Sequence, residues 1–304
     1  MAESYNTLAG LVQFNDRNLS DIEVTDLLQD APLIAAIHSQ PASNGTEHKY
    51  LKLTTASSAA FRAALAGLDK TTSADTLVTD TLAILDGSFH IDQALALNSK
   101  LGVDACLEKE LMRTMRSVFA HAEGQIIYGV GNDATGFPGL SDNAQLDALT
   151  DTMVHDAGGS NAVTQSSCFL LRSGMEDVSF ILGNDGNIVV DEDPKVVPWI
   201  ATAGSSPTYP AYYVPVTGYS GFQIGGAYSA SRICNIECND LTSTSAFTDA
   251  DIYASISLFP AARGPNMIVM NRNAQRLLRQ SRTAVNATGA DATIPTKLAG
   301  FRSS

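Results

Sequence analysis

The chain has 304 residues, 44% hydrophobic but only 7% aromatic, so its core must be built mainly from aliphatic and small side chains. Nineteen Lys and Arg against 32 Asp and Glu give a formal net charge of -13, which excludes an ordinary nucleic-acid-binding protein but not a container for DNA. No run of about 18 apolar residues exists to cross a membrane as a helix. The first ten residues, MAESYNTLAG, lack a basic region followed by an apolar run, so Cys106, Cys168, Cys234 and Cys238 are expected as free thiols in a reducing cytoplasm.

Residues 1–20 are polar and aperiodic, as expected of an arm. Ser20 and Glu23 form a capping-box pattern ahead of Ile22, Val24, Leu27 and Leu28, and Pro32 is expected to stop that short helix. From Ser39 to Ser73 the chain is rich in Ser, Thr, Gly and Ala, with a strand-like piece around Tyr50–Leu53. So little apolar content is hard to place inside a domain, and the stretch reads as a projecting loop. Residues 76–97 alternate as a strand does.

Val103, Cys106, Leu107, Leu111, Met115, Val118, Phe119, Ala122 and Ile126 then recur at spacings of three and four, predicting a long helix over 99–127. Its polar face carries Glu108, Lys109, Glu110, Arg113 and Arg116. A second helix is expected after Ser141, with Leu146, Leu149 and Met153 as its apolar face and Gly158 at its end. Residues 168–190 read as strands joined by a GNDG turn, and 211–238 as a further extended block. Thr248 and Asp251 should cap a helix carrying Ile252, Ile256 and Phe259 and stopped by Pro260. MIVM (267–270) is a short strand before a last helix with Leu277 and Leu278.

The motifs that suggest chemistry lack their context. GVGNDA, from Gly129 to Ala134, begins like a dinucleotide-binding loop, but that loop needs a strand before it and a helix opening on its last glycine. Cys234 and Cys238 are four apart in a probable strand and should face one side; no second ligand pair accompanies them, so packed thiols are the reading. The histidines at 38, 48, 90, 121 and 155 are scattered, and neither Gly-x-Ser-x-Gly nor His-Glu-x-x-His occurs. Asp191, Glu192 and Asp193 have no calcium-loop spacing and read as an acidic turn. No catalytic, cofactor or metal residue is assigned, and no cofactor is expected.

Taken in order, these elements resemble the major capsid proteins of tailed double-stranded DNA bacteriophages, the α+β Hong Kong 97-like fold, in a podovirus-type family of similar length. The segments that carry the resemblance are EKELMRTMRSVFAHAEGQIIYGVGNDATGFPGL (108–140), SSCFLLRSGMEDVSFILGNDG (166–186), GFQIGGAYSASRICNI (221–236), MNRNAQRLLRQS (270–281) and FRAALAGLDKTTS (61–73). The resemblance implies an N-terminal arm (1–38) and an extended loop, the E-loop (39–75), lying over a neighbouring subunit. It also implies a peripheral domain (76–129 and 206–237) with a spine helix over 99–127, and an axial domain (130–205 and 238–304).

The implied function is structural. Copies would form pentamers and hexamers and then the icosahedral shell around viral DNA, in the virion, after assembly in the bacterial host cytoplasm. Lys49, Lys52, Phe61, Arg62 and Lys70 are the expected inter-subunit contacts, with no covalent cross-link assumed. No scaffolding extension precedes residue 20, so a separate scaffolding protein is expected, with a portal and a decoration protein as further partners. An encapsulin-like compartment and a soluble α/β hydrolase with an unrecognised site are the competing readings.

Overall fold

In a computed structural model the described residues are 31–67, 71–100, 102–160, 165–186, 188–190, 194–200, 208–238 and 247–287. The capping-box helix over 20–28, Lys70 and the Asp191–Asp193 turn lie outside them.

Pro32 opens a helix, and whether it also stops the one expected before it lies outside the described residues. Helix α1 (Pro32–Ala36) starts on it, where a missing N–H costs nothing, and the Glu123 carboxylate accepts from the Leu33 and Ile34 amides at 2.7 and 3.4 Å. Strands β1 (Ser39–Pro41), β2 (Glu47–Thr55), β3 (Ala74–Thr81), β4 (Ala83–Asp86) and β5 (Phe89–Asp92) follow. The extended pattern ends at Asp92, whose side chain accepts from the Ala94 amide at 2.8 Å and starts helix α2 (Gln93–Leu97).

The long helix is present as α3 (Val103–Tyr128), 26 residues and therefore about 39 Å long. It spans two cores. Its first half lays Cys106 and Leu107, with Val103, Leu111 and Met115 partly buried, against Phe89, Ile91, Ala96, Val214 and Val216. Its last turns deliver Ile126 to a larger core with Phe137, Leu140, Leu146, Met153, Leu170, Leu171, Ile233, Phe247 and Leu277. Phe119, expected on the same stripe, is only half-buried.

The helix expected after Ser141 does not form. Residues 140–153 make turns leading to β6 (Val154–Asp156), because local acceptors capture the amides that a helix would need. Asn143 Oδ1 takes the Gln145 N–H at 2.9 Å and Asp151 Oδ2 that of Ala148 at 2.8 Å. Leu146 and Met153 are nonetheless buried, while Leu149 is exposed.

Beyond this stretch come β7 (Gln165–Leu171), β8 (Val178–Leu182), β9 (Val189–Val190), β10 (Lys195–Ile200), β11 (Thr208–Val214), β12 (Val216–Ile224) and β13 (Ala230–Glu237); all but β10 overlap the stretches expected to be extended. Asp185 and Gly186 supply the positive φ angles, 55° and 86°, after β8. Helix α4 (Asp249–Ser257) carries its capping box on Thr248 and Asp251; β14 (Met267–Val269) and α5 (Arg272–Ala287) end the described chain.

Four sheets result. One runs β1-β8-β12-β4 with β9 also on β12, and a second runs β14-β7-β13-β6. A third runs β10-β11-β5, and among the described residues β2 and β3 pair only with each other. The bulge between Ile233 and Ile236, with Asn235 at φ 56°, breaks the two-residue alternation, so the facing of Cys234 and Cys238 does not follow from their spacing. Both thiols are buried.

Candidate functional site

The β2–β3 hairpin is a feature that the fold leaves largely unburied. The strands pair antiparallel from Glu47 opposite Thr81 to Thr55 opposite Ala74, and Leu51 faces Leu77 directly. Period-two alternation puts Leu51, Leu53 and Leu77 on one face, all exposed, at 69%, 59% and 59%. Phe61 and Leu65, on the irregular connection between the strands, are fully exposed, and Leu65 sits at a left-handed φ of 65°. Water touches five large apolar side chains on one projection, a concentration that marks an interaction surface.

The opposite face ties the hairpin to the body. Tyr50 donates its hydroxyl to the Ile224 carbonyl at 3.3 Å. The Ser43 N–H donates to His48 Nδ1 at 3.2 Å, which leaves the ring proton on Nε2, 2.8 Å from Gln223 Oε1. Gln40 Nε2 donates to that same oxygen and to Ser179 Oγ, both at 2.8 Å. Burial, aided by the Asp80 carboxylate, pushes the Tyr50 phenol up to about 12. Burial also raises the Asp80 carboxyl. Nothing local in the sequence announces this network, whose members are up to 183 positions apart.

The expected contact residues divide. Phe61 is fully exposed at the projecting end. Lys49 is exposed but bridges Glu47 at 2.9 Å, an ion pair of small net value at the surface. Lys52 is half-buried on the other face of the ribbon, and Arg62 Nη1 donates to the Ala66 carbonyl at 3.2 Å.

The residues that suggested chemistry do not converge. His90 stacks on Trp199 with ring centroids 4.0 Å apart, His121 meets Asp133 at 3.5 Å, and His155 meets Asp251 at 3.2 Å. Burial pushes the Cys168 thiol up to about 12 and raises that of Cys234, the reverse of what a reactive thiolate needs. Among the described residues no group of three or more His, Cys, Asp or Glu could hold a metal ion, and no helix is long and apolar enough to cross a membrane.

Gly136 and Gly139 of the 129–139 stretch serve packing. Gln125, buried on α3, donates to the carbonyls of Phe137 and Asp133 at 2.7 and 3.1 Å and accepts from Asn132 at 3.1 Å. A Cβ at Gly136 would enter the Gln125 amide, and one at Gly139 would strike the Gln125 carbonyl. The loop therefore folds onto the end of the long helix.

A family profile described as major capsid protein GP7 matches residues 16–297. The chain belongs to that family. In structure it is similar to bacteriophage Epsilon15, with a TM-score of 0.65 at 18% identity over 98% of this chain and 91% of that one. The bacteriophage JBD30 capsid gives 0.55 at 10% identity over 88% of each chain. The JBD30 capsid decorated with minor capsid protein trimers gives 0.53 at 9% identity over 89% and 88%. No curated protein matches in sequence. The fold is thus the Hong Kong 97-like capsid fold, and the chain is a head-shell protein, a virion component that assembles into a multimeric icosahedral shell.

Proposed function

We propose that copies of this chain form pentamers and hexamers that close into the shell around the double-stranded DNA genome, each hairpin lying over a neighbouring subunit. The observation that carries this reading is the row of leucines on one face of a hairpin whose other face is bound to its own subunit. A neighbour's surface would cover Leu51, Leu53, Leu77, Phe61 and Leu65, with Lys52, Arg62 and Lys70 (and Lys49 beside Glu47) meeting a chain of net charge -13. The arm is 1–38 and the loop 39–75. The peripheral domain takes 76–129 and 206–237, and the axial domain takes 130–205 and 238–304. In support, every buried residue of the smaller core falls within the peripheral ranges. The larger core draws on both sides of residue 237, because β13 lies between β7 and β6 in one sheet.

The role is mechanical and calls for no catalysis. Scaffolding, portal and decoration proteins are separate partners, the DNA is held without sequence recognition, and assembly takes place in the host cytoplasm. The match to a major capsid family favours this over an encapsulin-like compartment or a hydrolase. Limited proteolysis tests it: residues 56–67 should be cut readily in unassembled subunits and protected in particles. Equal protection in both states would show that the loop packs within its own subunit.

A further inference from the structure

The charge of this chain is unevenly laid out. Residues 252–290 contain Arg263, Arg272, Arg276, Arg279 and Arg282 and no Lys, Asp or Glu, so this stretch is +5 and the rest of the chain is -18. On α5, spacings of four and three place Arg272, Arg276 and Arg279 on one face, about 10 Å long, and all three are exposed. The opposite face buries Ala274, Leu277 and Leu278 in the larger core. The helix is therefore fixed, and its arginine row points away from that core.

The reverse imbalance lies in residues 117–171, which contain Glu123, Asp133, Asp142, Asp147, Asp151 and Asp156 and no Lys or Arg; Arg232 reaches these turns, donating to the Leu146 carbonyl at 3.0 Å. Asp142 and Asp147 are exposed on the turns of 140–153. Sheet order separates the two: the acidic turns lead into β6, one edge of the β14-β7-β13-β6 sheet, and α5 leaves from β14, the other edge.

We propose that the arginine face of α5 docks on the acidic turns of 140–151 in a second copy of this chain, a contact distinct from the hairpin and resting on the shell reading above. A ring of identical subunits needs two different patches that fit each other head to tail, and these are two patches of opposite sign on one unit. Guanidinium forks suit carboxylates, which they bind through paired N–H groups. Duplex DNA is the less favoured occupant, because the remaining -18 repels phosphate while three arginines offset only about three of them.

The test is assembly of the full chain carrying Arg272→Glu and Arg279→Glu. Arg276 is left intact because it donates to the Cys238 carbonyl. The expected result is subunits with the wild-type circular dichroism spectrum and a loss of about tenfold or more in the particle fraction by sedimentation, in line with like-charge juxtaposition. Adding Asp147→Arg to the same chain should restore particles to within about threefold of wild type, as a swapped pair would. The neutral pair Arg272→Gln and Arg279→Gln, which creates no repulsion, should also lower the particle fraction at low salt. Its assembly should respond less than wild type to salt raised from about 50 to 500 mM, where surface charges are screened. Wild-type assembly by both double variants would overturn the proposal. So would normal assembly with lost binding of a labelled DNA duplex, which would reassign the face to DNA. Wild-type protein that forms no particles would sink the shell reading, and this contact with it.

Discussion

Replacing Leu51, Leu53 and Leu77 by serine should separate assembly from folding. The three side chains are 69%, 59% and 59% exposed, so the free subunit gains little from them and should lose no more than about 1 kcal/mol. A neighbour that covers them would remove the remaining three-fifths of each from water. Full burial of a leucine contributes about 1.5–3 kcal/mol, so the three together contribute about 3–5 kcal/mol to each contact. At 1.4 kcal/mol per factor of ten, the triple variant should need about 10²–10⁴ times more protein to reach half-assembly. Sedimentation velocity across a concentration series reads the assembly, and urea unfolding of the unassembled subunit reads the fold. Assembly at the wild-type concentration would refute the reasoning, and so would a drop of several kcal/mol in subunit stability, which would mean that the leucines pack within their own subunit.

Two predictions concern the subunit itself. Gln125→Leu strands the carbonyls of Phe137 and Asp133 against an apolar side chain and should cost about 2–4 kcal/mol, seen as a lower urea midpoint; an unchanged midpoint would deny the amide its role. The hydrogen bond from Arg172, together with that from Ser229, holds the Asp177 carboxyl below the usual carboxylate range. Its contribution to stability is therefore complete above the unfolded value near pH 4 and is lost as pH falls through the lower folded value. Asp177→Asn should lose about 3 kcal/mol at neutral pH and show a shallower loss of stability below about pH 4, whereas acid unfolding identical to wild type would contradict this.

The sequence shows most plainly those elements whose burial follows a short period. The three-and-four spacing from Val103 to Ile126 defines α3, and the Thr248–Asp251 box starts α4, because both signals are local. Where side chains compete with the backbone, the period misleads. Leu146 and Met153 are buried as a helical stripe would be, yet Asn143 and Asp151 turn the chain instead. The helix that opens on Pro32 has no local announcement, since Glu123, which accepts from its first amides, lies 90 residues away from Leu33. The projecting loop is legible as a lack of core-forming residues. Its anchoring through Gln40, His48 and Gln223 is not, because three ordinary polar residues become a network only after β1, β2 and β12 come together.

Negative-stain electron microscopy of the purified full-length protein tests the central claim most directly. The account predicts closed particles of uniform diameter whose walls show five- and sixfold clusters of subunits. A field of monomers or small oligomers at every protein concentration would contradict it.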